Sequence, residues 1–124
     1  MVKLSFCLRR LPHLSREEFQ HYWFNTHAPL VRKHADALRI HRYVQTHTVA
    51  GEAADSLRAS RGGPAAYDGV AELWWNSPDE VAAALASPAG IEGGRILLED
   101  ERKFIDLANS PLFWANEREI IARK

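Results

Sequence analysis

The stretch Leu14-Ser15-Arg16-Glu17-Glu18-Phe19 constrains this chain more than any other. Ser15 can accept from the amide three residues on, Glu18 can reach back to the amide of Ser15, and Leu14 can pack on Phe19, so a helix begins here. Beyond that start, Phe19, Tyr22, Trp23 and His27 recur at steps of three and four and form one face suited to lie on a sheet. Pro29 interrupts the run. It has no amide hydrogen and clashes with the carbonyl four residues back, which predicts a kink or restart around His27-Ala28-Pro29-Leu30. Leu30, Val31, His34 and Leu38 continue a similar stripe.

Strands flank this helix. Val2 to Arg9 alternates Val2, Leu4, Phe6 and Leu8 with Lys3, Ser5, Cys7 and Arg9, the period of two that marks a strand. A second strand is expected from Ile40 to Val49, rich in β-branched and aromatic residues and with polar side chains on both faces. Residues Ala50 to Ala66 shift to Gly, Ala, Ser and Arg and read as a long surface loop with room for a short helical turn. Tyr67 to Trp75 is a third strand, after which Ser77-Pro78-Asp79-Glu80 supplies an N-cap, an N1 proline and an N3 acid. The helix through Val81 and Leu85 ends before Pro88. Gly90, Gly93 and Gly94 predict a bend, followed by a helix from Arg95 to Leu107 and a last strand from Leu112 to Ile121.

That order defines an α+β fold of the ferredoxin-like type: two split β-α-β halves, a four-stranded antiparallel sheet, and helices on one face. Residues 1–124 form a single domain, since a second core would leave each half too little interior. The uncovered sheet face is expected to carry Trp, Tyr, Ile or Val, an apolar surface that implies a partner. Sixteen Lys and Arg balance sixteen Asp and Glu, so no net field favours nucleic acid or an anionic membrane surface. No apolar run approaches the ~20 residues a membrane helix needs. The lone Cys7 has no disulfide partner within the chain and no secretory leader is visible, so a cytoplasmic location is expected, with Cys7 a small buried hydrophobe.

Leu14-Ser15-Arg16-Glu17-Glu18-Phe19, Tyr22-Trp23, His27-Ala28-Pro29-Leu30-Val31, Arg42-Tyr43-Val44, Asp68-Gly69-Val70-Ala71-Glu72-Leu73-Trp74, and Glu99-Asp100-Glu101 with Phe104 together resemble the EthD domain family across nearly the whole chain. The resemblance implies a homodimeric α+β barrel in which two four-stranded sheets face each other with helices outside. Relatives on that barrel include muconolactone isomerases, polyketide cyclases and decarboxylases, and haem-degrading or quinol monooxygenases, so the likeness narrows the fold more than the chemistry.

His27 is the first candidate for chemistry. It lies on the inward helix face at the turn disturbed by Pro29, where an imidazole can take or give a proton near neutral pH; the plainer reading is a hydrogen-bonded core histidine. Tyr43, Gln45 and His47 share one face of the second strand, about 6.6 Å apart by the strand rise, and would line a pocket or form a polar layer in an interface. Tyr43 and His47 join His27 as candidate catalytic groups. Trp23, Trp74 and Trp75 are candidate walls for a flat substrate, or core aromatics, and Tyr22 is a further candidate substrate contact. Glu72, mid-strand between Ala71 and Leu73, is a candidate substrate contact that could serve as a second acid, or is simply the partner of a nearby Arg.

Metal is not expected: His41 and His47 lie about 20 Å apart along a strand, and His27 and His34 about 10 Å apart along a helix. Nor does a glycine-rich loop open a helix, so no nucleotide cofactor is indicated. The leading expectation is a cofactor-free lyase or isomerase acting on a small oxygenated aromatic, lactone or polyketide-like molecule. A haem-binding or cofactor-independent monooxygenase and a non-catalytic accessory protein are the alternatives.

Overall fold

The computed structural model describes all 124 residues. Strand β1 (Val2–Leu8) leads into helix α1 (Arg16–Tyr22), whose capping box closes as the sequence requires. The Ser15 hydroxyl accepts from the Glu18 amide at 3.0 Å, and the Glu18 carboxylate accepts from the Ser15 amide at 2.9 Å. A π turn (Trp23–His27) joins α1 to α2 (Ala28–His34). There follow β2 (Arg42–His47), α3 (Glu52–Ser60), β3 (Gly69–Trp75), α4 (Pro78–Ala86), α5 (Pro88–Glu101), a 3-10 turn (Leu107–Asn109) and β4 (Leu112–Ala115). The strands form one antiparallel sheet in the order β2-β3-β1-β4, the ferredoxin-like arrangement.

Register decides which side chains meet the helices. Phe6 pairs with Ala71, Leu8 with Gly69, Tyr43 with Leu73 and Gln45 with Ala71, so these residues and His47 share one face. Leu8 and Ala71 on that face pack with Phe19, Trp23, Phe104 and Ile105 to make the main core. Gly69 lacks a side chain because the Trp23 indole lies directly over its Cα; a methyl group there would collide with the ring.

The other face is not the continuous apolar surface expected from the strand composition. Alternation sends Lys3, Arg42, Glu72 and Trp74 to it together with Val44, Val70 and Phe113. Lys3 pairs with Glu72, and both Lys3 and the Arg42 guanidinium lie over the Trp74 ring, the latter at 4.5 Å. Tyr43 faces the helices instead.

Pro29 does not end the helix; the π turn absorbs it. The Ala28 amide donates five residues back, to the Trp23 carbonyl, which widens the helix just before the position that cannot donate. The insertion also keeps the inner face in line. In an α-helix a step of four residues overshoots a full turn by about 40°, and the wider turn takes back most of that drift. Phe19, Trp23, His27 and Val31 are therefore all buried on one stripe.

Several boundaries differ from expectation, among them the end of the helix expected to reach Leu107, which stops at Glu101. Helix α5 begins at Pro88, capped by the Ser87 hydroxyl, and runs through Gly90, Gly93 and Gly94 to Glu101. The bend lies earlier, at Ser87, where α4 and α5 meet at 89°. Gly90 is needed for close approach: a side chain there would strike the Ala84 carbonyl as the first turn of α5 crosses the end of α4. Strand β4 stops at Ala115, well short of Ile121, because its partner β1 runs out, Ala115 pairing with Lys3. Strand β2 starts at Arg42 after a tight turn in which Arg39 takes a φ of 56°. Within the expected loop, α3 forms a regular helix with no buried residue. No single helix is long and apolar enough to cross a membrane.

Asp68 fastens the start of α1 to the sheet. It is buried, and its carboxylate accepts from the Arg10 amide at 2.8 Å, the Arg10 guanidinium at 2.5 Å and Arg16 Nε at 3.1 Å. Burial alone would raise its pKa, but the hydrogen bonds from Arg10 and Arg16 outweigh that and hold it below the usual carboxylate range. This contribution to stability is complete above the ~3.9 of an unfolded aspartate and is lost as the pH falls through the lower folded value. Replacing Asp68→Asn should lower stability by about 1–3 kcal/mol in urea titrations at pH 7 and flatten the acid limb of the stability profile.

Candidate functional site

Helix α5 ends on two carboxylates whose neighbouring positions point about 100° apart, so each meets a different environment. Asp100 is buried and reaches back to the π turn. One of its oxygens lies 2.8 Å from His27 Nδ1, and the other accepts the Tyr22 hydroxyl at 2.5 Å. Lys103 approaches to 3.7 Å from the solvent side. Phe104 seats the arrangement, with its ring 5.0 Å from Tyr22, 5.1 Å from His27 and 5.5 Å from Phe19.

The Asp100 contact sets the chemistry of the imidazole. A carboxylate facing Nδ1 selects the tautomer with the proton on Nδ1 and leaves Nε2 with its lone pair. Burial lowers the His27 pKa, and the hydrogen bond and charge of Asp100 offset only part of that, so the ring is neutral at pH 7. Tyr22 stays a donor, its phenol pushed up to about 12 by burial and by Asp100. The result is a neutral imidazole held in one orientation.

His27 lines a cavity of about 50 Å³ between the helices and the sheet. Its walls are chiefly apolar, including Phe6, Trp23, Leu73 and Leu97, and its polar lining comes from His27, Tyr43 and Glu101. Glu101 is largely buried, and its carboxyl is raised to about 7 by burial and by the charge of Asp100, with no cation to offset either. Tyr43 is pushed up to about 12, mainly by burial, and remains a phenol. No group of three His, Cys, Asp or Glu side chains is placed to hold one metal ion.

The structure brings some of the sequence candidates together and separates others. His27, Trp23 and Tyr43 line the cavity. Gln45 stands beside it as a strut: its amide nitrogen donates to the Trp23 carbonyl and the Tyr43 hydroxyl, both at 3.0 Å, while its oxygen lies 2.9 Å from His47 Nε2. His47 stacks on Trp23 at 4.6 Å outside the cavity, and burial lowers its pKa. Tyr22 supports Asp100 rather than forming a wall. Glu72 and Trp74 are displaced from the site altogether, because their register sends them to the opposite sheet face.

Asp100 and Glu101 were not among the sequence candidates, although a signal existed. Gly90, Gly93, Leu97 and Asp100 recur at steps of three and four, and all are buried on α5. A carboxylate on an apolar stripe needs a partner. Reading the glycines as a bend broke the stripe before it reached Asp100.

The fold and this buried His–Asp pair define a ferredoxin-like domain with a small, mainly apolar cavity between its helices and sheet. The EthD domain profile matches residues 11–108, and the chain belongs to the EthD domain family. Among solved structures, an EthD family protein from Bacillus halodurans aligns with a TM-score of 0.62 and 24% identity over 95% of this chain and 99% of that one. A dimeric ferredoxin-like protein from Thermobifida fusca aligns at 0.57 and 11% identity, covering 92% and 88%. SnoaB, a cofactor-independent oxygenase from Streptomyces nogalater, aligns at 0.53 and 15%, covering 98% and 97%. At this level of identity the likeness is one of fold. No curated protein sequence matches the chain significantly.

Asp100→Asn removes the charge that holds the His27 pKa up, so the imidazole should titrate further below 6.5 than in the parent, as read by histidine NMR. In both proteins the unfolded chain takes up the proton first on acidification. Stability supported by neutral His27 should therefore fall as the pH drops from about 6.5 through the folded value, starting from the same point in each.

Proposed function

We propose that the protein is a cofactor-free lyase or isomerase for a small oxygenated aromatic, lactone or polyketide-like molecule, with His27 as its general base. The observation that carries this reading is the 2.8 Å contact from Asp100 to His27 Nδ1 beside an apolar cavity. Asp100 orients the ring and stabilises the imidazolium that forms when Nε2 takes a proton. Apolar walls keep water from competing for that proton. Tyr43, held by Gln45, is the available phenol donor for a substrate oxygen.

The resting cavity has room for only a few waters, at ~15 Å³ each, whereas ligand pockets begin near ~300 Å³. A substrate enters as a wall moves. Replacing His27→Gln should lower turnover by about a hundredfold or more with the melting profile retained; full activity in that variant would remove His27 from the mechanism.

A second reading, oxygenation without a cofactor, starts from the same proton abstraction and is favoured by the fold shared with SnoaB. Oxygen uptake during turnover separates the two.

We further propose a homodimer, formed through the uncovered sheet face; the Thermobifida protein of the same fold is dimeric. Val44 and Val70 there are only half-buried, and Phe113 is 49% exposed. Light scattering at micromolar concentration should give twice the 14.0 kDa chain mass; a stable monomer would refute this assembly.

A further inference from the structure

We propose that Glu101 is the acid that works opposite His27, and that the two together select an uncharged substrate with a carbonyl beside an acidic C–H bond. This rests on the reading of His27 as base. The geometry comes from two elements that converge on one space: His27 enters the cavity from the π turn, and Glu101 enters from the last turn of α5. Asp100, the residue before Glu101, holds the far side of the imidazole. One helix end therefore orients the base and also presents a second carboxyl group to the substrate.

The charges around the cavity support this division of labour. Among its lining residues only His27, Tyr43 and Glu101 ionise, and there is no Lys or Arg. Lys103, the cation beside Asp100, is mostly exposed and lies outside the lining. Asp100 faces Glu101 from its own helix, neutral His27 from the π turn and the Tyr43 phenol from β2. None of these stabilises a carboxylate, so Glu101 holds its proton up to about pH 7. An anionic substrate would meet the same repulsion, which argues against a free carboxylate as the reacting group.

The proton transfer balances without an added reagent. His27 Nε2 takes the proton from the carbon beside the carbonyl, and the C–H electron pair becomes the new C=C bond. The carbonyl π pair takes the proton of Glu101. The products are an enol, an imidazolium paired with Asp100, and the Glu101 carboxylate. Where a C=C bond is conjugated with the enol, the imidazolium proton goes to its far carbon and the enol O–H proton returns to Glu101 as the carbonyl re-forms, which restores both side chains and completes an isomerisation. Where the substrate carries a β-hydroxyl group, the imidazolium proton goes to the departing oxygen, water leaves as the C=C bond shifts to the α and β carbons, and the enol O–H proton returns to Glu101, which gives a dehydration.

The first test is a titration of the wild-type protein carrying ¹³C-labelled glutamate carboxyl groups. One glutamate should titrate near neutrality and vanish in Glu101→Gln; all glutamates titrating in the ordinary range would overturn the proposal. The second uses 2-tetralone, an uncharged ketone, in deuterium oxide, and follows solvent deuterium entering the carbon beside the carbonyl. Wild type should accelerate exchange, His27→Gln should abolish the acceleration, and Glu101→Gln should reduce it about tenfold or more. Exchange should also decline above about pH 7, where Glu101 loses its proton, and below the lowered pKa of His27, where the base is already charged. Loss of exchange in His27→Gln but not in Glu101→Gln refutes the role of Glu101 and leaves the His27 reading standing. Indifference to both changes, or no exchange by wild type, refutes the substrate class.

Discussion

The buried carboxylate of Asp100 is the interaction on which the site depends. It ties the end of α5 to the first helical run by accepting from Tyr22 and facing His27 Nδ1, two contacts made 78 and 73 residues away in sequence. A carboxylate so far from solvent is tolerable only with such partners, and the partners gain fixed roles in return. Tyr22 becomes a strut, and His27 becomes a neutral imidazole with a defined tautomer. The aromatic cluster around Phe104 excludes water from the pair and so strengthens it.

The π turn is the backbone counterpart of that contact. Without the widening at Trp23–His27, a proline at position 29 would break the helix, and the buried stripe would rotate away from the sheet. With it, one interrupted helix supplies both Trp23 and His27 to the cavity lining. Gly69 completes the arrangement by letting the Trp23 indole lie flat on β3, where His47 stacks against it. Backbone irregularity, the missing side chain and the aromatic stack thus position a single imidazole.

The two faces of the sheet divide the labour. The inner face carries the core and the cavity, while the outer face mixes Val44, Val70 and Phe113 with charged residues that shield Trp74. Such a surface is less apolar than a core and suits an interface that holds polar contacts as well as hydrophobic ones.

Much of the fold was legible because it rests on local rules. The capping box at Ser15 and Glu18, the proline signal at Pro29, the Ser77-Pro78 start of α4 and the period of two in β1 each act within a few residues, so they mark elements wherever the chain later goes. The same reach explains the errors: Gly90 looks like a bend because its reason for being glycine, the Ala84 carbonyl, is a packing contact. Strand β4 looks longer than it is because its length is set by where β1 ends. His27 was recognisable as an inward imidazole beside a disturbed turn. Its partner was not, because nothing near position 27 points to position 100. Glu72 and Trp74 show the same limit, since alternation tells which residues share a face but not which face meets the helices. The sequence alone therefore determined the elements, their order and the stripe that bears His27. Only the tertiary structure decided the sheet face, the Asp100 contact and the environment of Glu101, because each depends on groups distant in the chain being brought together away from water.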